Sequence, residues 1–376
     1  NNDFEDSTNI HAFDISDSNT TSYLGSGRVS GTVQDQFSMS EFQGSIRIAS
    51  TSDTWGRWWL QGEIDENGDP IFTGPTNQVT ILQSDNNSLV QVGIIEDIAP
   101  NETIWSARFI GERGYLVTFE NVDPLWVLDL SNPLDPQILG ELEIPGVSTY
   151  IHPVDAEHLL TIGIGPGAEG LGLDWSTTQI SLFDITDPSN PVLSDIEILS
   201  PGYIDENCED IRSCGWQWSW SEASYEHKAF TYWPIDQMLA VPLSTYRYNF
   251  SYDDEGSYIY NYEYVSTLKM INVDVENESL SLHGTANHSN YYNSDDHNSW
   301  YSSQTSIQRS IFMGEFIYSF SALGASVHKV DDMSVQVELN LPGHQSYNYY
   351  VQEDAVDSIE SEGETHPNNE DDADAY

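Results

Sequence analysis

WSARFIGERGYLVTFENVDPLWVLDLSNPLDPQILGELEIPG, residues 105–146, decides the fold. It divides into four short runs, SARFI, GYLVTF, LWVLDL and QILGELEI, each of strand length and rich in β-branched and aromatic residues. GER joins the first pair, ENVDP the second and SNPLDP the third. Gly, Asn, Asp and Pro at these places are turn formers. Four strands in a row with tight connections, closed by Pro-Gly, make an antiparallel meander of the size of one β-propeller blade.

The closing strand of that unit recurs. SGRVSG ends at Gly31, IIEDIAP at Pro100, ELEIPG at Gly146, IEILSPG at Gly202 and VELNLPG at Gly343, with a weaker copy, LHGTANH, at His288. The steps between these ends are 69, 46, 56, 86 and 55 residues, which predicts five full blades at about 32–100, 101–146, 147–202, 203–288 and 289–343, two of them with insertions. The third strand recurs as IHAFDISDSN, LWVLDLSNP, ISLFDITDPSNP and LKMINVDVEN, where alternating apolar residues run into Asp-x-Ser/Thr and a Pro- or Asn-rich turn. Asp14, Asp129 and Asp184 have the chemistry of metal ligands, but an Asx-type hydrogen bond that caps the turn is the commoner use of such residues.

Residues 8–31 supply only the third and fourth strands of a blade, so the propeller, residues 1–345, opens on a half-blade. The missing strands come from the tail, from an upstream part of a longer polypeptide or from a second chain. A bare strand edge invites pairing, so residues 10–16 are expected to pair with a strand other than a neighbour on their N-terminal side. Ser346–Gln352 alternate weakly, and 346–376 read as an acidic low-complexity tail. The chain opens NNDFEDSTN without a leader and is read as a mature form or a fragment.

QDQFSMSEFQGSIRIAST, RFIGERGYLVTFENVDPLWVLDLSNPLDPQILGELEIPG, YIHPVDAEHLLTIG and SEASYEHKAF resemble the secreted bacterial and archaeal β-propeller family distantly related to WD repeats, with the DLSDP-type turns of LVIVD-repeat surface proteins. The resemblance covers roughly residues 8–343. It implies a domain that begins further upstream and a complete ring of six to eight blades. It brings fold and location but no catalytic residues.

Composition narrows the partners. The chain carries 61 Asp and Glu against 11 Lys and Arg, a net charge of −50. Such a surface repels nucleic acid and anionic lipid, and no run of about 18 apolar residues is present to span a membrane. The charge fits a marine or salt-adapted bacterium, in which salt screens the self-repulsion, and it also fits a surface that collects Ca²⁺; the secreted or cell-surface location is what the resemblance implies. Cys208 and Cys214, the two cysteines, stand in CEDIRSC. A small disulfide ring in an oxidising compartment suits that spacing better than a metal pair.

In WD-type propellers the second-to-third-strand turns and the links between blades open on one face. Here the first-to-second-strand turns (FQG, GER, DAE, IDQ, MGE) are tight, and every long excursion falls in the other two classes, at 52–76, 165–177, 203–219 and 246–264. That decorated face carries Trp55, Trp58, Trp59, Trp175 and the period-two set Trp216, Trp218 and Trp220, followed by a long hairpin with Tyr258, Tyr260 and Tyr262. Cross-strand packing accounts for the tyrosines as well as binding does. Clustered indoles on loops point to a platform for glycan or protein.

Other chemistry is weaker. DENGDP sets Asp65, Asn67 and Asp69 as the start of a Ca²⁺ loop, without the closing Glu. The central channel would receive Arg108, His152, Glu222, His227 and Arg309 from the first strands, with Glu222 and His227 as an acid/base candidate. His152, Asp155 and His158 have near-metal spacing, yet a turn separates the histidines. No nucleophile elbow, P-loop or HExxH accompanies them. The first expectation is a calcium-tolerant binding module that uses its aromatic face. The alternatives are a hydrolase or lyase centred on the channel, and a structural subunit completed by strand addition.

Overall fold

The computed structural model describes residues 6–52, 74–119, 123–167, 172–199, 216–252, 256, 258–288, 291 and 306–341; for 123, 216–217, 247–252 and 258–263 it describes the backbone alone. The chain divides into a unit Asn1–Gly343 and a second, His344–Tyr376, which lies outside the described residues together with the acidic tail. No helix among the described residues is long and apolar enough to cross a membrane.

The fold is all-β. The hairpin β1 (Ser7–Asp14) and β2 (Ser22–Ser30) comes first. Four antiparallel strands follow: β3 (Met39–Phe42), β4 (Ser45–Ser52), β5 (Thr76–Asp85) and β6 (Ser88–Ile98). Sheet two is the stretch quoted first, β7 (Thr103–Ile110), β8 (Arg113–Phe119), β9 (Asp123–Asp129) and β10 (Gln137–Ile144). Sheet three holds β11 (Val147–Pro153), β12 (His158–Pro166), β13 (Leu173–Asp184) and β14 (Val192–Leu199). In sheet four, β15 (Trp216–Trp220) and β16 (Thr231–Trp233) share one edge of β17 (Met238–Tyr252), followed by β18 (Tyr258–Asp274) and β19 (Ser279–Asn287). Sheet five is β20 (Arg309–Met313), β21 (Phe316–Phe320), β22 (Gly324–Lys329) and β23 (Val335–Asn340).

Middle strands are covered by a neighbouring sheet on both faces, which is why they read as nearly unbroken apolar runs. Leu116 and Val117 of β8, and Leu159, Leu160 and Ile162 of β12, are all fully buried. Successive sheets share cores. Ala49, Val79 and Ile81 meet Leu116 and Leu128 between sheets one and two. Val117 and Val127 meet Ile151 and Phe183 between two and three. Leu160 and Leu182 meet Leu239 and Ile271 between three and four, and Leu268 and Ala286 meet Phe312 and Ile317 between four and five. Each fully buried Leu, Ile, Val or Phe contributes about 1.5–3 kcal/mol. The described ion pairs lie at partly exposed sites such as Arg113–Asp129, where a pair contributes about 0–1 kcal/mol. Apolar stacking of sheets therefore holds the molecule together.

The Asp-x-Ser/Thr turns are capped as their chemistry suggests. The carboxylates of Asp14, Asp129, Asp184 and Asp332 accept from the backbone N–H two residues on, at 2.9, 3.0, 2.8 and 3.0 Å. Asp14 is held below the ordinary carboxylate range chiefly by the backbone N–H of Ser16.

Outer-strand glycines seat the turns after Asp129, Asp184 and Asp332 against the preceding sheet. A Cβ on Gly93 of β6 would lie 2.2 Å from the Pro133 carbonyl oxygen, one on Gly140 of β10 would lie 2.9 Å from that of Pro188, and one on Gly284 of β19 would strike Met333. Between sheets three and four a carboxylate does the same work: Asp195 Oδ2 accepts from the Leu280 N–H at 2.7 Å. The hairpin β1–β2 follows the glycine rule too. Cβ atoms on Gly25 and Gly27 would fall 2.8 Å from the Asn87 carbonyl carbon and 2.6 Å from the Leu89 oxygen, both at the β5–β6 turn. Ile10 and Val29 pack on Ile48, Leu82 and Leu89. One parallel pair, Ser26 with Ser88, formally joins the hairpin to β6 and makes a six-stranded sheet, but the packing is that of the outer two strands of a further blade. β1 pairs with β2, its C-terminal neighbour, and among the described residues no strand lies on its other edge. The expected extra partner for residues 10–16 is not found there.

Candidate functional site

The residues expected on the decorated face divide by whether the structure describes them. Trp55, Trp58 and Trp59, the Ca²⁺-loop residues Asp65, Asn67 and Asp69, and Cys208 and Cys214 all lie outside the described residues. Among the described residues no group of three or more His, Cys, Asp or Glu is placed to hold a metal ion. Trp216 and Tyr258, Tyr260 and Tyr262 are described in backbone only. The register of β17 and β18 sets Tyr246, Tyr248 and Phe250 opposite Tyr264, Tyr262 and Tyr260.

The remaining aromatics line up across three sheets. Trp105, near the start of β7, meets Phe119 at the end of β8, edge to face at 5.8 Å between ring centroids. Its other neighbour is Trp175 of β13, at 6.2 Å. The Trp218 indole N–H of β15 donates to the Trp175 carbonyl oxygen at 2.5 Å. Trp218 lies 5.3 Å from Trp220, which lies 6.0 Å from Tyr264 of β18. All of these residues sit at the sheet end where second-to-third-strand connections and links between sheets run. Tyr264 is buried and anchors one end, whereas Trp175 and Trp218 are 53% and 42% exposed. An indole held by its neighbours yet half open to solvent is a rigid apolar platform with little conformational entropy left to lose. Trp105 and Phe119 were not singled out in the sequence because they sit inside strand patterns. Their signal was position, since both fall at the same strand ends as Trp175.

A second cluster forms where the inner strands converge. The chain from Ser221 to Phe230 interrupts the inner strand of sheet four with two 3-10 turns, Glu222–Ser224 and His227–Ala229. The hydroxyl of Ser221 and the carboxylate of Glu226 cap these turns. The excursion carries His227 to Phe37, which follows β2, with ring centroids 4.9 Å apart, and to the Gln36 amide at 3.3 Å. Phe37 also meets Tyr150 of β11 at 5.4 Å, and the Arg108 guanidinium of β7 lies 4.5 Å from its ring centre. Arg309 of β20 reaches Glu226 at 3.4 Å. All five sheets thus contribute to one place, beside a cavity of about 390 Å³ lined by Gln36, Phe37, Tyr150, Glu226 and His227.

The channel does not form the Glu222–His227 pair. The carboxylate beside His227 is that of Glu226, at 3.4 Å, while the Glu222 carbonyl accepts from the N–H groups of Tyr225 and Glu226. His152 packs on Phe230 and Tyr232 at 5.1 and 5.5 Å. Burial, then the charge of Arg108, push it down to about 4, so it is neutral near pH 7 and a weak base. His158 stays apart from it and hydrogen-bonds Asp155 at 3.0 Å in the hairpin turn.

Among curated proteins, the chain is 33% identical to uncharacterized protein MJ1554 of Methanocaldococcus jannaschii over 61% of this chain and 30% of that protein. It is 31% identical to an uncharacterized protein of Archaeoglobus fulgidus over 67% of this chain and 34% of that one. It therefore spans about a third of the length of these relatives. The crystal structure of AztD from Citrobacter koseri aligns over 90% of this chain and 81% of that one, with 13% identity and a TM-score of 0.36. The model of the beta propeller domain family matches residues 1–333, and the chain belongs to that family.

Proposed function

We propose that this chain is a binding module, working outside the cell or at its surface, that holds an extended ligand against the aromatic row at one end of its sheets. The observation that carries the reading is the continuity of Phe119, Trp105, Trp175, Trp218, Trp220 and Tyr264 across three sheets, with the two central indoles half exposed. Aromatic packing for stability alone would bury those indoles. The extracellular placement rests on the resemblance to secreted propeller proteins and on the spacing of Cys208 and Cys214, and the −50 charge supports stabilisation by Ca²⁺. A glycan or protein surface with an apolar stripe and polar margins suits the row. The edge of β1 is also fit to take an added strand from an upstream segment or second chain.

The test is retention of the protein on cellulose, chitin, mannan and a cell-envelope preparation. Wild type should be held by at least one of these matrices. Trp218→Ala should weaken that binding by about 30-fold, the equivalent of a 2 kcal/mol hot spot, and Glu112→Ala, in the GER turn at the opposite sheet end, should not. Equal behaviour of the two variants would refute the aromatic row as the binding surface.

A further inference from the structure

A cavity of about 380 Å³ opens at the same sheet end as the row. Trp105 and Ile104 line it together with Asp6, Thr32, Gln34, Thr51 and Thr103. The Thr51 hydroxyl is already engaged, donating to Asn77 Oδ1 at 2.7 Å and accepting from the Ile104 N–H at 3.2 Å. The Thr32 and Thr103 hydroxyls and the Gln34 amide make no hydrogen bond among the described residues. The volume falls within the range of about 300–1,000 Å³ typical of small-ligand sites. An apolar ring face beside uncommitted hydroxyl and amide groups is complementary to a molecule with one apolar face and a rim of hydroxyls. A pyranose ring has that make-up.

Charge selects among sugars. None of the described lining residues is cationic, Asp6 borders the cavity, and the whole chain is at −50. A uronate or sulfated sugar would enter against that field with nothing to pair its charge. The row continues the cavity, because Trp105 both lines it and neighbours Trp175. We infer that this cavity is the end subsite of the aromatic row and takes the terminal residue of a neutral oligosaccharide, whose following residues lie along Trp175 and Trp218. The inference rests on the binding role proposed for the row and adds ligand class and direction to it.

The experiment is isothermal titration of the full chain with cellohexaose, mannohexaose, chitohexaose and, as the acidic counterpart, hexagalacturonate. At least one neutral hexamer should bind, about tenfold or more tighter than hexagalacturonate. The double variant Gln34→Ala/Thr103→Val should weaken it by about tenfold, the usual scale for lost hydrogen-bond recognition, with an unchanged melting temperature. Trp218→Ala should weaken it as well. If Trp218→Ala weakens a neutral hexamer and the double variant does not, the subsite is refuted while the binding row stands. Preference for hexagalacturonate, or no binding of any neutral hexamer, also overturns the inference, and a row that binds only protein falls under the second of these outcomes.

Discussion

Asn77 shows how much one polar side chain carries here. It is fully buried, and its amide nitrogen donates to the carbonyl oxygens of Ile98, Ala99 and Glu102 at 2.9, 3.3 and 3.0 Å while its oxygen accepts from Thr51. That one group ties the end of β6 and the link into β7 to the centre of the first sheet. Asn77→Ala strands several buried carbonyls at once and should cost about 2 kcal/mol or more, seen as a lower urea midpoint with an unchanged m-value. His288 is the acid-sensitive counterpart. It is fully buried, with Ser321 and Ser326 on its two ring nitrogens, and burial followed by the charge of His328 pushes it down to about 4. The unfolded chain takes up that proton near the ordinary histidine value of about 6.5, and the folded chain does not until about 4. Stability is therefore intact above about pH 6.5 and falls as the pH drops from there to about 4, by up to about 3 kcal/mol from this residue. His152 adds to the loss in the same window. Urea midpoints measured from pH 7 to 4 should show a shallower decline in His288→Gln than in wild type, with the remaining slope shared by His152, by His328, which burial also holds down, and, toward pH 4, by the capping carboxylates.

The strand-and-turn pattern of the quoted meander was legible because middle strands buried on both faces must be apolar throughout and turns must be polar, so GYLVTF and LWVLDL marked the cores of β8 and β9, though not their first residues, Arg113 and Asp123. Two features were not. The split inner strand of sheet four has no periodic signature, since the 3-10 turns at Glu222 and His227 are held by local caps, and SEASYEHKAF reads as an ordinary strand start. The aromatic row joins residues over a hundred positions apart, and only the stacking of sheets brings Trp105 to Trp175 and Trp175 to Trp218. The half-blade was legible from its third-strand motif, but its seating on the first sheet depends on Gly25 and Gly27, which no pattern marked. Gly27→Val places side-chain atoms against the backbone at Leu89 and should lift the β1–β2 hairpin from the sheet. Hydrogen exchange followed by mass spectrometry should then show faster exchange in residues 7–30 and no change in β11–β14. Equal protection of residues 7–30 in both proteins would mean that the glycine does not set that contact.

At the scale of the molecule, stacked apolar cores work against the self-repulsion of a −50 chain. Raising NaCl from about 0.1 to 1 M shortens the screening length from about 10 to 3 Å and should raise the thermal midpoint; CaCl₂ at matched ionic strength should raise it further if ions are held at sites. The same rigid stack fixes the indoles in a line, and that line is the centre of the functional account. The most direct measurement is ¹⁹F NMR of the protein labelled with 5-fluorotryptophan, each resonance assigned by single substitution, during addition of cellohexaose, mannohexaose and chitohexaose in turn. Trp126, whose indole donates to Thr118, and Trp233, stacked on Phe312, lie off the row and serve as internal references. The account predicts that a binding oligosaccharide shifts the resonances of Trp105, Trp175 and Trp218 and leaves those of Trp126 and Trp233 in place. Shifts confined to Trp126 and Trp233, or binding that moves none of the row, would contradict it.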